Sequence, residues 1–187
     1  DSLVKSVEEA IAIAGRAGCR LEISHFKSCG MKNWGRGIRE AAGLIEPARR
    51  QGQAVACDFY PYDCGSTTLM SLIPPAFVAG DMDQALKSLG EEAGRERLRR
   101  MLAKEYEGWD NYVISLGWDK AVISAVSCPE NQWMIGKDIA AIALEGGYAD
   151  EVEAVSGILC SEGASVAIII RSMDQRDVDW VAGLPYS

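Results

Sequence analysis

Apolar residues in the first third of the chain recur at two different periods, and the switching between those periods predicts the architecture. Over residues 2–17, Leu3, Val4, Val7, Ala10, Ile11 and Ala14 return every three or four positions and draw one apolar stripe along a helix. Ser2 stands where an N-cap belongs, and Gly15 and Gly18 flank the end. Residues 20–26 read as a short strand. A second helix follows from Gly37 to Gln51, with Ile38, Ala41, Ala42, Leu44, Ile45 and Ala48 on its apolar face. Pro47 lies inside that pattern and predicts a kink or a break, because proline lacks the N–H that a helix interior uses. Gly52 ends the helix, and residues 53–59 read as a second strand. Helix, strand, helix, strand with short links predicts parallel βα units. In such units ligands bind at the carboxyl ends of the strands.

The alternation then stops. Residues 60–80 are rich in Pro, Gly, Ser and Thr and read as a loop. Helical patterning covers 81–107 with an interruption near Gly90–Gly94, short strands are expected at 111–116 and 121–126, and helices at 136–146 and 150–161. Residues 165–170, Ser-Val-Ala-Ile-Ile-Ile, form an apolar run of the kind found in strands buried on both faces. A last helix is expected at 174–183, opened by Asp174. These elements predict an α/β fold in three stretches. Residues 1–63 carry the βα units, 64–163 form an inserted α/β subdomain, and 164–187 return to the first architecture with a strand and a helix.

Composition narrows the function classes. The chain has 187 residues, with 27 acidic side chains against 19 basic ones and a net charge of −8. That balance speaks against a nucleic-acid surface, which needs a basic stripe. The one basic cluster, Arg95, Arg97, Arg99 and Arg100, alternates with Glu92 and Glu96 and reads as a solvated helix face. No apolar run reaches the ~18–20 residues of a membrane span. The first residues carry no signal-peptide core, so a cytoplasmic protein with no membrane partner is expected. Six cysteines at irregular spacing form no C-x-x-C pair and read as reduced thiols.

Three segments could carry chemistry. His25, the only histidine, lies in Ile23-Ser24-His25-Phe26-Lys27 at the end of the first strand. If the strand runs to residue 26, side-chain alternation puts Leu21, Ile23, His25 and Lys27 on one face. A neutral imidazole there can hold a metal and an ammonium can receive a carboxylate; an ordinary surface His and Lys at a strand end fits the spacing equally. Asp58-Phe59-Tyr60-Pro61-Tyr62, followed by Gly65-Ser66-Thr67-Thr68, sits at the end of the second strand. It can shape a substrate pocket or be a proline-stiffened turn. Trp34-Gly35-Arg36-Gly37 precedes a helix and is either an anion cradle at its N-terminus or a plain loop. A Cys–His nucleophile pair would have to use His25 with Cys29 or Cys57, neither in a recognisable context.

Taken in order, these segments resemble the N-acyl-D-amino-acid deacylases (D-aminoacylases) of the amidohydrolase superfamily. Glu22-Ile23-Ser24-His25-Phe26-Lys27 is similar to the family's S-H-H-K segment, and Asn33-Trp34-Gly35-Arg36 to its N-[FW]-G. Asp58-Phe59-Tyr60-Pro61-Tyr62 with Gly65-Ser66-Thr67 resembles D-x-Y-P-Y-x-x-G-S-T. Gly136-Lys137-Asp138-Ile139-Ala140 and Met173-Asp174-Gln175-Arg176-Asp177-Val178 are similar to two of the family's helix starts. The resemblance implies part of a (β/α)8 TIM-type barrel, about strands 6–7. It implies zinc as cofactor, one or two ions in the intact enzyme, and a reaction in which metal-activated water attacks the amide of an N-acyl-D-amino acid. By the same resemblance His25 is a metal ligand, and Lys27, Tyr60, Tyr62, Ser66 and Met173 contact the small-molecule substrate.

Two departures stand out. Phe26 replaces the second His of S-H-H-K, and Arg171 lies where the family has an apolar or aromatic residue. The family's remaining ligands, H-x-H, a Cys or modified Lys and H-x-R, would precede Asp1. Its catalytic Asp, in S-D-G, would follow Ser187. The chain therefore reads as an internal fragment with no catalytic residue of its own, binding zinc weakly or not at all, and inactive alone. The unpaired strand edges of a partial barrel predict either self-association, as a homo-oligomer, or a compact rearrangement led by the inserted subdomain. Two alternatives remain: a dihydroorotase- or hydantoinase-like cyclic amidase, and a non-catalytic standalone domain.

Overall fold

A computed structural model describes residues 2–187. The first helix, α1 (Leu3–Ala17), buries Val7 and Ala14 and closes at Gly18, whose φ of 63° lies in the left-handed region that glycine enters freely. It opens without a side-chain cap from Ser2. Strand β1 (Leu21–Ile23), helix α2 (Gly37–Arg50) and strand β2 (Val55–Cys57) follow. Next come β3 (Cys64–Thr68), α3 (Pro75–Val78), α4 (Met82–Leu89), α5 (Glu92–Leu102) and α6 (Tyr112–Ser115). The chain continues through β4 (Ala121–Ala125), α7 (Ile139–Glu145), α8 (Glu151–Glu162), β5 (Ala167–Arg171) and α9 (Gln175–Ala182).

Contacts divide these elements into two compact units. One comprises the described residues up to Asp63 together with Ser172–Ser187, and the other comprises Cys64–Arg171. In the first unit β1 and β2 pair in parallel, with Leu21 opposite Val55 and Ile23 opposite Cys57. Helix α2 connects them, which makes the expected βαβ unit. Its apolar stripe, Ile38, Ala41, Ala42, Ile45 and Ala48, is buried with Val55, Cys57, Phe26, Val181 and Tyr186. The helix runs through Pro47 to Arg50 rather than breaking there. Burial of Ile45 and Ala48 on either side of the proline holds the last turn in place. On the second edge of β2, the Cys57 N–H donates to the Tyr186 carbonyl at 2.8 Å.

Both strands are shorter than their sequence pattern suggested. Strand β1 ends at Ile23, not at residue 26, because His25 takes a positive φ of 56° that no strand contains. The strict alternation of Leu21, Ile23, His25 and Lys27 on one face is therefore lost beyond Ile23.

The second unit is built on a three-stranded antiparallel sheet in the order β3-β5-β4. Strand β5 was expected to return to the first architecture; it is instead the central strand here. Nor is it buried on both faces: Ile168 and Ile170 are inside and Ile169 is 40% exposed, the half-solvated pattern of an antiparallel sheet. Strand β3 forms from residues expected to be loop. Its polar Cys-Gly-Ser-Thr-Thr run gains strand structure by pairing along the whole of β5, tertiary pairing overriding weak intrinsic preference. Residues 111–116, expected as a strand, instead hold α6. The buried Asn111 side chain accepts from the N–H groups of Val113 and Ile114 and donates to the carbonyls of Leu102 and Lys104, which fixes a helical turn. Helix α8 packs on α4, α5 and α7, burying Val155, Ile158 and Leu159.

Candidate active site

The first unit gathers the candidate residues at the carboxyl ends of β1 and β2. Asp58, one residue past β2, binds the segment that leaves β1. Its Oδ1 accepts from the His25 N–H at 2.7 Å and its Oδ2 from the Ser24 hydroxyl at 2.5 Å. Its backbone bonds just past the last strand pair: the Asp58 N–H donates to the Ile23 carbonyl at 3.1 Å, and the Phe26 N–H donates to the Asp58 carbonyl at 2.8 Å. The His25 N–H, then the Ser24 hydroxyl, hold the Asp58 carboxyl below the usual carboxylate range, since both bonds favour the charged form.

The residues after β2 bring the polar groups together. The Tyr60 ring stands edge-on to the His25 imidazole, with centroids 5.5 Å apart. The Lys27 ammonium lies 5.2 Å from the centre of the same ring, a cation–π contact. His25, Lys27, Tyr60 and Met173 line one cavity with Phe59 and Asp177. Its volume of ≈ 10 Å³ has room for about one water. Met173 is fully buried, whereas Tyr62, stacked obliquely on Tyr60 at 6.4 Å, is 65% exposed. Ser66 is not in this cluster. It lies on β3 in the other unit, exposed and paired with Ile169. Phe26, at the position where the family pattern has a second histidine, is buried in the core and lines the same cavity as His25.

Two carboxylates carry this site, and neither was singled out as a site residue from sequence. Asp58 is one. The other is Asp177, only 4% exposed near the start of α9. Its Oδ2 accepts from the Gly35 N–H at 2.7 Å and its Oδ1 from Arg39 Nη1 at 2.5 Å. The Arg39 guanidinium in turn stacks on Trp180 at 4.9 Å. The Gly35 loop is thus an anion cradle whose anion is the chain's own carboxylate. Each of the two aspartates lies inside a motif that carries the family resemblance; a lone carboxylate directly after an apolar strand was the available signal for Asp58.

A Cys57–His25 nucleophile is disfavoured. Burial, then the charges of Glu22 and Asp58, push the Cys57 thiol up to about 11, so it is protonated at neutral pH. A zinc ion at a catalytic site takes about three protein ligands. Among the described residues no three His, Cys, Asp or Glu side chains converge to hold one. His25 offers a single exposed donor. These residues therefore do not compose a zinc site by themselves. No helix among the described residues is long and apolar enough to cross a membrane.

Similarity to known proteins agrees with the motif order. No family model matches the chain. The N-acyl-D-glutamate deacylase of Alcaligenes xylosoxydans xylosoxydans is 39% identical over 70 residues, which is 37% of this chain and 14% of that protein. The N-acyl-D-aspartate deacylase of the same organism is 39% identical over 69 residues, again 37% and 14%. In three dimensions the whole chain superposes on 29% of the N-acyl-D-glutamate deacylase from Bordetella bronchiseptica, a structure containing zinc and a phosphonate mimic of the tetrahedral intermediate. The TM-score is 0.63 and the identity 26%. A D-aminoacylase with a binuclear metal centre matches 96% of the chain over 27% of its own, at a TM-score of 0.55 and 25% identity. The chain is thus similar to the N-acyl-D-amino-acid deacylases and spans less than a third of the length of these proteins.

Proposed function

We propose that the chain is part of a hydrolase that removes the acyl group from N-acyl-D-amino acids, with β1 and β2 as the neighbouring strands 6 and 7 of a (β/α)8 barrel. The order along the first unit supports the barrel reading. β1 and β2 are parallel, joined by α2, and the far edge of β2 already holds the Tyr186 carbonyl. A strand continuing from Tyr186 would lie beside β2, which is the sequential neighbour order of a barrel.

One observation carries the functional reading: Lys27 and His25 meet around Tyr60 at the strand ends where such barrels hold their sites. An ammonium here is the natural partner for the carboxylate that every N-acyl amino acid carries, and a charge-assisted bond fixes its position. The buried Met173 and half-buried Tyr60 border that position with apolar surface, while the exposed Tyr62 stands at its rim. His25 offers its imidazole to solvent and would supply one donor to a metal held jointly with residues outside the described set. The cavity within the first unit holds about one water, so an acylated amino acid would be bound above Lys27 rather than inside that cavity. Ser66 is kept as a substrate contact on the resemblance alone.

The test is steady-state kinetics of the complete protein that carries this chain, with N-acetyl-D-glutamate, its L enantiomer and a cyclic ureide as substrates. Lys27→Ala should raise KM for the D substrate by about tenfold or more, the worth of a charged hydrogen bond, with a smaller change in kcat. His25→Ala should abolish turnover. An unchanged KM in Lys27→Ala, or preference for the cyclic ureide, would overturn the reading.

A further inference from the structure

The conformation of His25 is unusual, and one neighbour accounts for it. With φ at 56°, His25 is one of two non-glycine residues in the left-handed region among those described; the other, Ala79, merely ends α3. A side chain with a Cβ enters that region against a steric cost, so something must hold it there. Ordinary strand pairing cannot, since the β1–β2 ladder of paired residues ends at Ile23 and Cys57.

Asp58 supplies what the ladder no longer does. Four hydrogen bonds from this single residue enclose Ile23 to Phe26: two through its backbone, one from the His25 N–H to Oδ1, and one from the Ser24 hydroxyl to Oδ2. The carboxylate lies just where the ladder ends, and it turns the chain so that the next residues face Tyr60. The consequence reaches both functional groups. The His25 ring meets the edge of Tyr60, and Lys27, two residues on, crosses the same ring. An extended residue 25 would instead carry the strand straight on and separate the imidazole from Tyr60 by the alternation of a strand.

We infer that Asp58 is a positioning residue: its carboxylate locks the Ser24–His25 turn and thereby sets where the imidazole of His25 and the ammonium of Lys27 point. The importance of that geometry for turnover rests on the deacylase reading; the lock itself does not. The two can be separated because the chain has a single histidine, whose ring and amide signals need no further assignment once identified.

The experiment is NMR on the isotopically labelled full chain, comparing Asp58→Ala, Asp58→Asn and Ser24→Ala. In the unchanged chain the His25 amide should be protected, with the strong intraresidue amide–Hα contact of a positive φ and ring contacts to Tyr60. In Asp58→Ala the His25 amide should exchange about tenfold faster or more, as expected for loss of a bond to a charged acceptor. The Tyr60 contacts should disappear, while amides of α2 keep their protection. Asp58→Asn keeps one acceptor and should restore the His25 amide in part; Ser24→Ala should loosen residue 24 with a smaller effect on His25. If Asp58→Ala fails to fold, the other two variants decide by the same signals. Retention of the positive-φ pattern and the Tyr60 contacts in Asp58→Ala overturns the inference, and where Asp58→Ala is unfolded, a His25 amide in Asp58→Asn that exchanges no faster than in the unchanged chain overturns it. Kinetics of Asp58→Asn in the complete protein forms the second arm. A fall in kcat together with a rise in KM ties the lock to both His25 and Lys27, whereas failure of the Lys27 and His25 variants to affect turnover refutes the deacylase reading and leaves the lock judged by NMR.

Discussion

The two units of the chain use their carboxylates in different places. In the second unit several of them open helices, and Glu162 also accepts from the loop N–H groups of Ser127 and Cys128. Asp81, Asp138 and Asp150 each accept an N–H in the first turn of α4, α7 and α8, and Asn111 does the same for α6. In the first unit α1 and α2 begin without such caps, although Asp174 opens α9 by accepting the Arg176 N–H at 2.9 Å. There Asp58, just past β2, and Asp177, in the first turn of α9, bind the segments that follow β1, holding Ser24, His25, Gly35 and Arg39. Caps stabilise a scaffold locally, one helix at a time. Loop-binding carboxylates instead fix irregular backbone whose only regularity is the position of the groups it presents.

If each unit has its own core, large-to-small changes should stay local. Ile45 is fully buried on α2 and Leu159 is fully buried on α8. Truncating either to alanine should cost about 2–5 kcal/mol, the usual range for a buried aliphatic side chain. Hydrogen exchange followed by peptide mass spectrometry should show Ile45→Ala loosening 2–63 and 172–187, and Leu159→Ala loosening 64–171. Equal loosening of both stretches by either change would dissolve the comparison.

A smaller effect is expected at Asp177. It is buried, and removing its carboxylate leaves the Gly35 N–H without its acceptor and the half-exposed Arg39 without its partner. Asp177→Ala should therefore destabilise by about 1–3 kcal/mol in chemical denaturation. Arg39→Ala should cost less, because it removes a half-exposed side chain and the bond from the Gly35 N–H to Asp177 survives. If the two changes cost the same, the Gly35 loop does not depend on the carboxylate in the way described.

The same contrast governs how much of the molecule was legible in its sequence. The helices α1, α2, α8 and α9 were legible because only a helix gathers apolar positions spaced three and four apart onto one face. The parallel pairing of β1 and β2 followed from the helix between them. Strand β3 was not legible: nothing in Cys64-Gly65-Ser66-Thr67-Thr68 announces a strand until β5 lies beside it. Strand β5 was found, but its isoleucine run suggested burial on both faces, and only the sheet's composition reveals that Ile169 faces outward. His25, Lys27, Tyr60 and Met173 were named from resemblance, and the first unit brings all four to one cavity. Ser66 was named on the same grounds and lies on the sheet of the other unit. Asp58 and Asp177 escaped notice because a carboxylate's role depends on which backbone N–H groups reach it, and those come from residues 33 and 142 positions away.

The smallest effect expected is electrostatic and belongs to the second unit. Arg99 joins Asp150, Glu92 and Glu96, with Nε 2.6 Å from Asp150 Oδ2 and Nη1 2.6 Å from Glu96 Oε1. Asp150 also caps α8 by accepting the Glu153 N–H at 2.8 Å. The Arg99 hydrogen bond is the main cause that holds the Asp150 carboxyl below its ordinary value, with the Glu153 N–H adding to it. A carboxyl whose folded pKa lies below the unfolded one contributes stability that is fully present above the unfolded value, about 3.9, and is lost as pH falls through the folded value. Solvent screens a partly exposed network, so Arg99→Ala should cost only about 0.2–1 kcal/mol at neutral pH. Added salt should shrink that difference, and acidification below about pH 4 should remove it as the carboxyls protonate. Denaturation of both proteins across that range is the measurement. A difference that survives in acid would mean that Arg99 acts through the packing of its aliphatic stem on the helices, and the second unit's charges would then be supports of its core rather than of its helix ends.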